Sequence, residues 1–238
     1  MQKISIIIPA HNEQNRIART LHAYIAYFDN LKHQGQLDYE LVVVNNGSAD
    51  GTAQVVQNIA HATLTVRLLD FVQGGKGFAI TQGFKDALQR PNDYIGFVDA
   101  DMATQPEFFH ALLPQHVDGI IASRYMKGSQ VTPARPWIKY WGRRLVYDTL
   151  VRLLFGLNFH DYQCGAKIFK RAVIQDVVDE LTVTQWAFDV ELLYLCKKHG
   201  YTIIEVPTVW HDQAGSQLRI MRGGMKMLSA LFKVRMTH

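Results

Sequence analysis

The stretch Tyr94-Ile-Gly-Phe-Val-Asp-Ala-Asp-Met-Ala-Thr104 (YIGFVDADMAT, residues 94–104) carries the first structural signal. Tyr94 to Val98 read as a buried strand, apolar throughout and without polar alternation. The run ends on two carboxylates, Asp99 and Asp101, with only Ala100 between them. Like charges this close raise each other's pKa and cost stability unless a positive charge joins them. A cation is the simplest remedy, so the end of this strand is a candidate site.

The same pattern repeats on both sides. ISIII (4–8) precedes a helical pattern from Gln14 to Phe28, YELVVV (39–44) one from about Asp50 to Ile59, and TVRLLD (65–70) one from Gly77 to Leu88. YIGFVD (94–99) precedes Pro106 to Leu113, and GIIAS (119–123) follows. Short apolar strands, each followed by a helix, imply parallel pairing with both faces covered. The expected fold is a Rossmann-like α/β layer structure with a mostly parallel central sheet flanked by helices. Ligands of such sheets bind outside the carboxyl ends of the strands. The polar clusters fall there: Pro9 to Glu13, Asn45 to Thr52, Gly74 to Gly77, Asp99 to Asp101, and Ser123-Arg124. They describe one pocket.

With 238 residues and 48% hydrophobic content, the chain suits one domain spanning 1–238. Residues 1–124 read as its nucleotide-binding half and 125–238 as its acceptor half. There, 135–157 read as a long amphipathic helix, 161–170 as a turn and strand, 185–199 as a helix and 202–210 as a late strand. Cys164 and Cys196 form no framework, consistent with reduced thiols and a cytoplasmic location. No apolar run approaches the roughly 18 residues of a membrane span. Net charge is only +4, yet KYWGRRLVYDTLVRLLF and RIMRGGMKMLSALFKVR mix basic residues with Leu, Met, Phe and Trp. That composition suits helices lying on an anionic membrane surface. The basic residues mix with aliphatics rather than lining a groove with aromatics, which argues against nucleic acid.

Asp-x-Asp after a buried strand suits Mg²⁺ or Mn²⁺ bound together with the diphosphate of a nucleotide. Lys76 in Gly74-Gly-Lys-Gly77 offers a point charge near phosphate, but Gly77-Phe78 after the lysine departs from the P-loop pattern. Asn45-Asn-Gly-Ser-Ala-Asp-Gly-Thr52 can cap the next helix through Ser48 or Asp50, and its asparagines can also read a base edge. No histidine pair supports zinc.

Together PAHNE, VVNNGSADGT, GGKG, DAD, SR, QCGAK, WAFDVELL and EVPTVW resemble family 2 glycosyltransferases of GT-A fold, in order and spacing, from about residue 4 to 218. They look most like the branch making polyprenyl-phosphate sugars, which includes dolichyl-phosphate glucosyltransferase and mannose synthase. The resemblance implies that Pro9, His11, Glu13, Asn45 and Asn46 hold the nucleoside. It implies that Asp99 and Asp101 hold the metal and diphosphate and that Arg124 faces the lipid phosphate; Ala100 between them and Lys76 from the neighbouring loop complete the donor-binding candidates. Three departures stand out: asparagines replace the usual paired aspartates, His11 replaces a tyrosine, and Ala103 replaces the glutamine of mannose synthases.

The implied reaction is inverting transfer of a hexose, glucose favoured, from a nucleotide sugar to a dolichyl or undecaprenyl phosphate. UDP-glucose is the favoured donor and GDP-mannose the other candidate. An acceptor phosphate is already anionic at neutral pH, so fixed positive charge matters more than a base: the metal, Arg124, Lys76, Lys167 and Arg219. A saccharide or protein hydroxyl would instead require a base, for which Asp189 is the first candidate, with Asp161 and Glu191 behind it. A nucleotide-sugar-binding protein without turnover is the alternative from another class. The expected location is the cytoplasmic face of a membrane, held peripherally.

Overall fold

In the computed structural model, residues 1–133, 147–185, 187–211 and 220–238 are described, without the side chains of 220–228. Four parallel strands form the first half of the sheet: β1 (Gln2–Ala10), β2 (Leu37–Asn46), β3 (Val66–Phe71) and β4 (Tyr94–Val98). Helices α1 (Ile17–His33), α2 (Thr52–Ala62), α3 (Lys76–Ala87) and the short α4 (Pro106–His110) alternate with them. Then follow β5 (Gly119–Ser123), β6 (Gln130–Thr132), α5 (Thr149–Phe155), β7 (Ala166–Lys170), α6 (Arg171–Val177), α7 (Phe188–Lys198), β8 (Ile203–Pro207), β9 (Val209–His211) and α8 (Ile220–Thr237).

The main sheet has seven strands in the order β3-β2-β1-β4-β7-β5-β8, and β6 pairs with β9 in a separate ribbon. β7 runs antiparallel between β4 and β5, so the parallel order is broken once. Each apolar strand feeds both faces. Ile4, Ile6 and Ile8 join the core under α1 and α2, whereas Ile7 joins the core that includes α3, α6 and α7. That two-sided burial explains why these strands show no polar alternation.

The expected late strand 202–210 is two strands, because Thr208 separates β8 in the main sheet from β9 in the ribbon. Most of the expected helix 135–157 lies outside the described residues; its end forms α5. Helix α1 runs to His33, beyond the expected Phe28, and Leu31 in the added turn is buried.

Candidate functional site

The carboxyl ends of β1 to β4 meet at one edge of the sheet. Because β7 is antiparallel, its beginning rather than its end reaches this edge, and Ala166 pairs with Val98. The QCGAK segment therefore abuts the carboxylates that follow β4. Asp99 N–H donates to Gly165 O at 3.0 Å, and a Cβ on residue 165 would lie 1.8 Å from Asp99 Oδ2. Glycine at 165 is required for space, since its φ is not in the left-handed region.

The Asp99–Thr104 turn is held from several sides. Thr20 Oγ1 donates to Ala100 O at 2.6 Å, Tyr24 Oη to Thr104 O at 3.0 Å, and His211 N–H to Ala103 O at 3.0 Å. Met102 takes φ 61°, and Ala103 N–H donates to Asp101 Oδ1 at 3.0 Å. Lys76 Nζ lies 2.5 Å from Asp99 Oδ1. Burial first, and the Asp99 charge second, push the Asp101 carboxyl above its usual range. Burial, with contributions from Asp101 and Asp99, does the same to Glu13, although Arg16 binds it through two 2.7 Å bonds. The edge thus carries three carboxylates against Lys76 and Arg16. Among the described residues no three or more His, Cys, Asp or Glu side chains form a closed metal cluster.

The glycines around Lys76 serve packing. A Cβ on Gly75 would lie 2.4 Å from Thr184 O, and one on Gly77 would lie 2.5 Å from Val183 O. This loop, residues 182–184, is fixed by Glu191, whose carboxylate accepts from Thr182 N–H, Thr182 Oγ1 and Val183 N–H. Glu191 is fully buried and holds the loop against the start of α3. That engagement rules out its reading as a reserve base.

Asn45 and Asn46 also differ from expectation. Asn46 Nδ2 donates to Ala10 O at 2.8 Å and its Oδ1 accepts from Gly75 N–H at 3.0 Å, tying β1, β2 and the Lys76 loop together. Asn45 Nδ2 donates to Asp70 Oδ1 at 2.6 Å, and its Oδ1 accepts from the Ser48 hydroxyl. Both amides are buried and engaged, so they shape the edge rather than offer free groups to a base. His11, exposed beside them, contacts Asn46 O at 2.9 Å through Nδ1, and Pro9 lies in register with Val44.

On the other side of β4, Arg124 follows β5. Its Nε and Nη2 donate to Asp161 at 2.6 and 2.8 Å, and its backbone N–H to Asp161 Oδ2 at 3.2 Å. The guanidinium lies 4.9 Å from the Trp210 ring centroid and 5.6 Å from that of Tyr125. Despite its burial, the neighbouring Asp161 charge holds the Arg124 pKa well above its ordinary value. Asp161 is fully buried and serves as the arginine's counter-ion, which corrects its expected role as a base. Lys167 is likewise corrected. It is fully buried, donates to Asp189 Oδ1 at 2.6 Å and Cys164 O at 2.7 Å, and lies 5.1 Å from the Phe97 ring centroid. Its ammonium cannot meet an acceptor from solvent; it neutralises Asp189 in the first turn of α7. Arg219 and Trp186 lie outside the described residues. Glu13 with Arg16, and the space at Gly165, depend on pairings that no single motif announces.

The sequence profile of glycosyl transferase family 2 matches residues 5–178. The dolichyl-phosphate beta-glucosyltransferase of Drosophila melanogaster is 32% identical over 98% of this chain and 74% of its own length. That of Dictyostelium discoideum is 29% identical over 99% of this chain and 74% of its own. Among solved structures, glucosyl-3-phosphoglycerate synthase of Mycobacterium tuberculosis, in complex with Mn²⁺, UDP-glucose and phosphoglyceric acid, superposes with a TM-score of 0.70 at 18% identity, covering 98% of this chain and 79% of that one. It shares the fold. By profile and relatives alike, the chain belongs to glycosyltransferase family 2.

Proposed function

We propose that the protein transfers glucose from UDP-glucose to a polyprenyl phosphate such as dolichyl phosphate, with inversion at the anomeric carbon. The observation that carries this reading is the likeness to dolichyl-phosphate beta-glucosyltransferases over nearly the whole chain. It spans both the carboxylate edge and the side bearing Arg124.

Asp99 and Asp101 would hold Mg²⁺ or Mn²⁺. Their hard oxygens fit either ion, Asp101 is half-buried one residue from the Asp99 charge, and two carboxylates leave coordination positions for phosphate oxygens and water. When bound, the ion stabilises the leaving diphosphate as a Lewis acid. Lys76, already directed at this edge, supplies a second positive charge to the donor phosphates. Pro9, His11 and Glu13 border the nucleoside position. Arg124 is oriented by its two bonds to Asp161, and its side chain, 6% exposed where that of Lys167 is fully buried, keeps Nη1 without a hydrogen-bond partner among the described residues for the acceptor phosphate to meet. A phosphate monoester, with its second pKa at about 6, attacks as the anion and needs no base. Asp189, paired with Lys167, is then a structural group.

The acceptor's lipid tail calls for a membrane. α5 and α8 pack together and expose Leu153, Phe232 and Met236 beside Arg152, Lys233 and Arg235. This mixture suits an anionic bilayer surface. The proposed attachment through this face is peripheral, on the cytoplasmic side; among the described residues no helix is long and apolar enough to cross a membrane.

The test is incubation of the protein with UDP-glucose or GDP-mannose, Mn²⁺ or Mg²⁺ and a short polyprenyl phosphate, with mass spectrometry of the lipid fraction. A metal-dependent hexosyl phospholipid from UDP-glucose is the expected product. Donor consumption without a lipid product would move the acceptor to a hydroxyl, and inertness would remove the catalytic reading.

A further inference from the structure

One carboxylate at this edge has no part in the scheme above. Asp70, near the end of β3, is exposed and in register with Asn45 on β2. Its Oδ1 accepts the 2.6 Å hydrogen bond from Asn45 Nδ2. The amide is fixed in that sense, because Asn45 Oδ1 accepts from Ser48, whose Oγ in turn accepts from Asn12 N–H at 2.9 Å. A flipped amide would set its oxygen against the carboxylate. Gly47 brings the two loops together: at φ 69° it donates its N–H to Phe71 O at 2.8 Å, and a Cβ there would lie 2.9 Å from Val72 O. Asn45 is the only hydrogen-bond partner of Asp70 among the described residues; Oδ2 has none there, and the residue is exposed.

Position and chemistry point the same way. In the order β3-β2-β1-β4, Asp70 sits three strands from Asp99. At the usual spacing that is about 14 Å, comparable with the reach from the diphosphate of a nucleotide sugar to the far edge of its base. Asn45 and Asn46 have their amides engaged and Glu13 is held by Arg16 through both oxygens, so Asp70 is the carboxylate left to face the base. We infer that Asp70, oriented by Asn45, reads the donor's base by accepting a ring N–H, the N3–H of uracil or the N1–H of guanine. Cytosine presents a lone pair at the corresponding ring nitrogen, which a carboxylate repels; an ionised carboxylate only accepts. The inference rests on the proposed placement of a nucleotide sugar at this edge.

The experiment is calorimetric titration of wild type, Asp70→Asn and Asp101→Asn with UDP, GDP and CDP in the presence of Mn²⁺. Wild type is expected to prefer UDP or GDP over CDP. Asp70→Asn should weaken the preferred nucleotide about 10- to 100-fold, the scale of a lost charge-assisted hydrogen bond. It should also narrow the preference over CDP, because an amide can donate to cytosine N3. Asn45→Ala, which removes the orienting bond together with the Ser48 contact but leaves the carboxylate in place, should move both readouts the same way by a smaller factor. If Asp70→Asn changes neither affinity nor preference while Asp101→Asn abolishes binding, the base is read elsewhere and the donor site stands. An equal loss for all three nucleotides would also overturn base reading. Wild type binding none of them would overturn the donor site and this inference together.

Discussion

Gly165→Ala reaches the metal-binding edge without touching a charged residue. The added Cβ would lie 1.8 Å from Asp99 Oδ2 and 2.1 Å from its Cγ, where ordinary contact begins near 3.4 Å. Alanine is compatible with the backbone at 165, so the carboxylate must retreat, by about 1.6 Å if it moves alone. A shift of that size breaks the 2.5 Å pair with Lys76. Both partners are more than one-fifth exposed, so the pair itself contributes at most about 1 kcal/mol to stability. Donor binding should suffer more. Misorienting a metal-holding group costs about 10- to 100-fold in affinity, or about 1.4 to 2.7 kcal/mol. Turnover should fall by at least on the order of 100-fold, since a misplacement near 1 Å suffices for that. The assay is calorimetric titration with UDP and Mn²⁺, alongside the thermal midpoint, for Gly165→Ala, Asp99→Ala and the double variant. If glycine acts through Asp99, the double variant binds no worse than Asp99→Ala. Wild-type affinity in Gly165→Ala, or additive losses in the double variant, would refute the steric argument.

Three further outcomes follow from the buried charges. Asp161→Asn leaves Arg124 without its anion and should cost about 3–5 kcal/mol in denaturant unfolding, with UDP affinity little changed. Lys167→Met strands Asp189 at a similar cost, which Lys167→Met combined with Asp189→Leu should largely recover; no recovery would show that the pair does more than neutralise itself. The third concerns pH. Asp101 and Glu13 have folded-state pKa values above their ordinary 3.8 and 4.5, so the folded chain holds these protons more tightly than the unfolded one. Their contribution to stability is complete below the ordinary values and is lost as pH rises through the raised ones. Metal-free wild type should therefore lose stability relative to Asp101→Asn across that window, and Mn²⁺ with UDP should reverse the loss; parallel denaturation midpoints would contradict it.

The parallel half was legible because both faces of its strands are covered, and ISIII, YELVVV and YIGFV announce this by lacking alternation. The antiparallel course of β7 was not legible, since AKIFK is equally apolar in either direction. Arg124 was singled out through its motif, but its counter-ion is 37 residues away, and nothing local separates a paired Asp161 from a catalytic one. Lys167 shows the same limit. A lysine in a short strand reads as solvent-facing until a buried Asp189 from another element is seen to meet it. The asparagine pair was legible as a departure, whereas its partner Asp70 lies on the neighbouring strand and becomes visible only through register.

The insertion of β7 between β4 and β5 has a consequence for biosynthesis. The first four strands emerge from the ribosome as a nearly complete parallel sheet, yet β4 has no neighbour on its outer side until Ala166–Lys170 arrives. At about 5–20 residues per second, that edge waits on the order of 3 to 14 s. All five residues of β4 are buried in the finished protein, and no charge or proline within it guards the waiting edge. A nascent chain paused between residues 100 and 166 would therefore present an adhesive apolar ladder, and a fragment ended at Arg124 should aggregate instead of forming a soluble nucleotide-binding half.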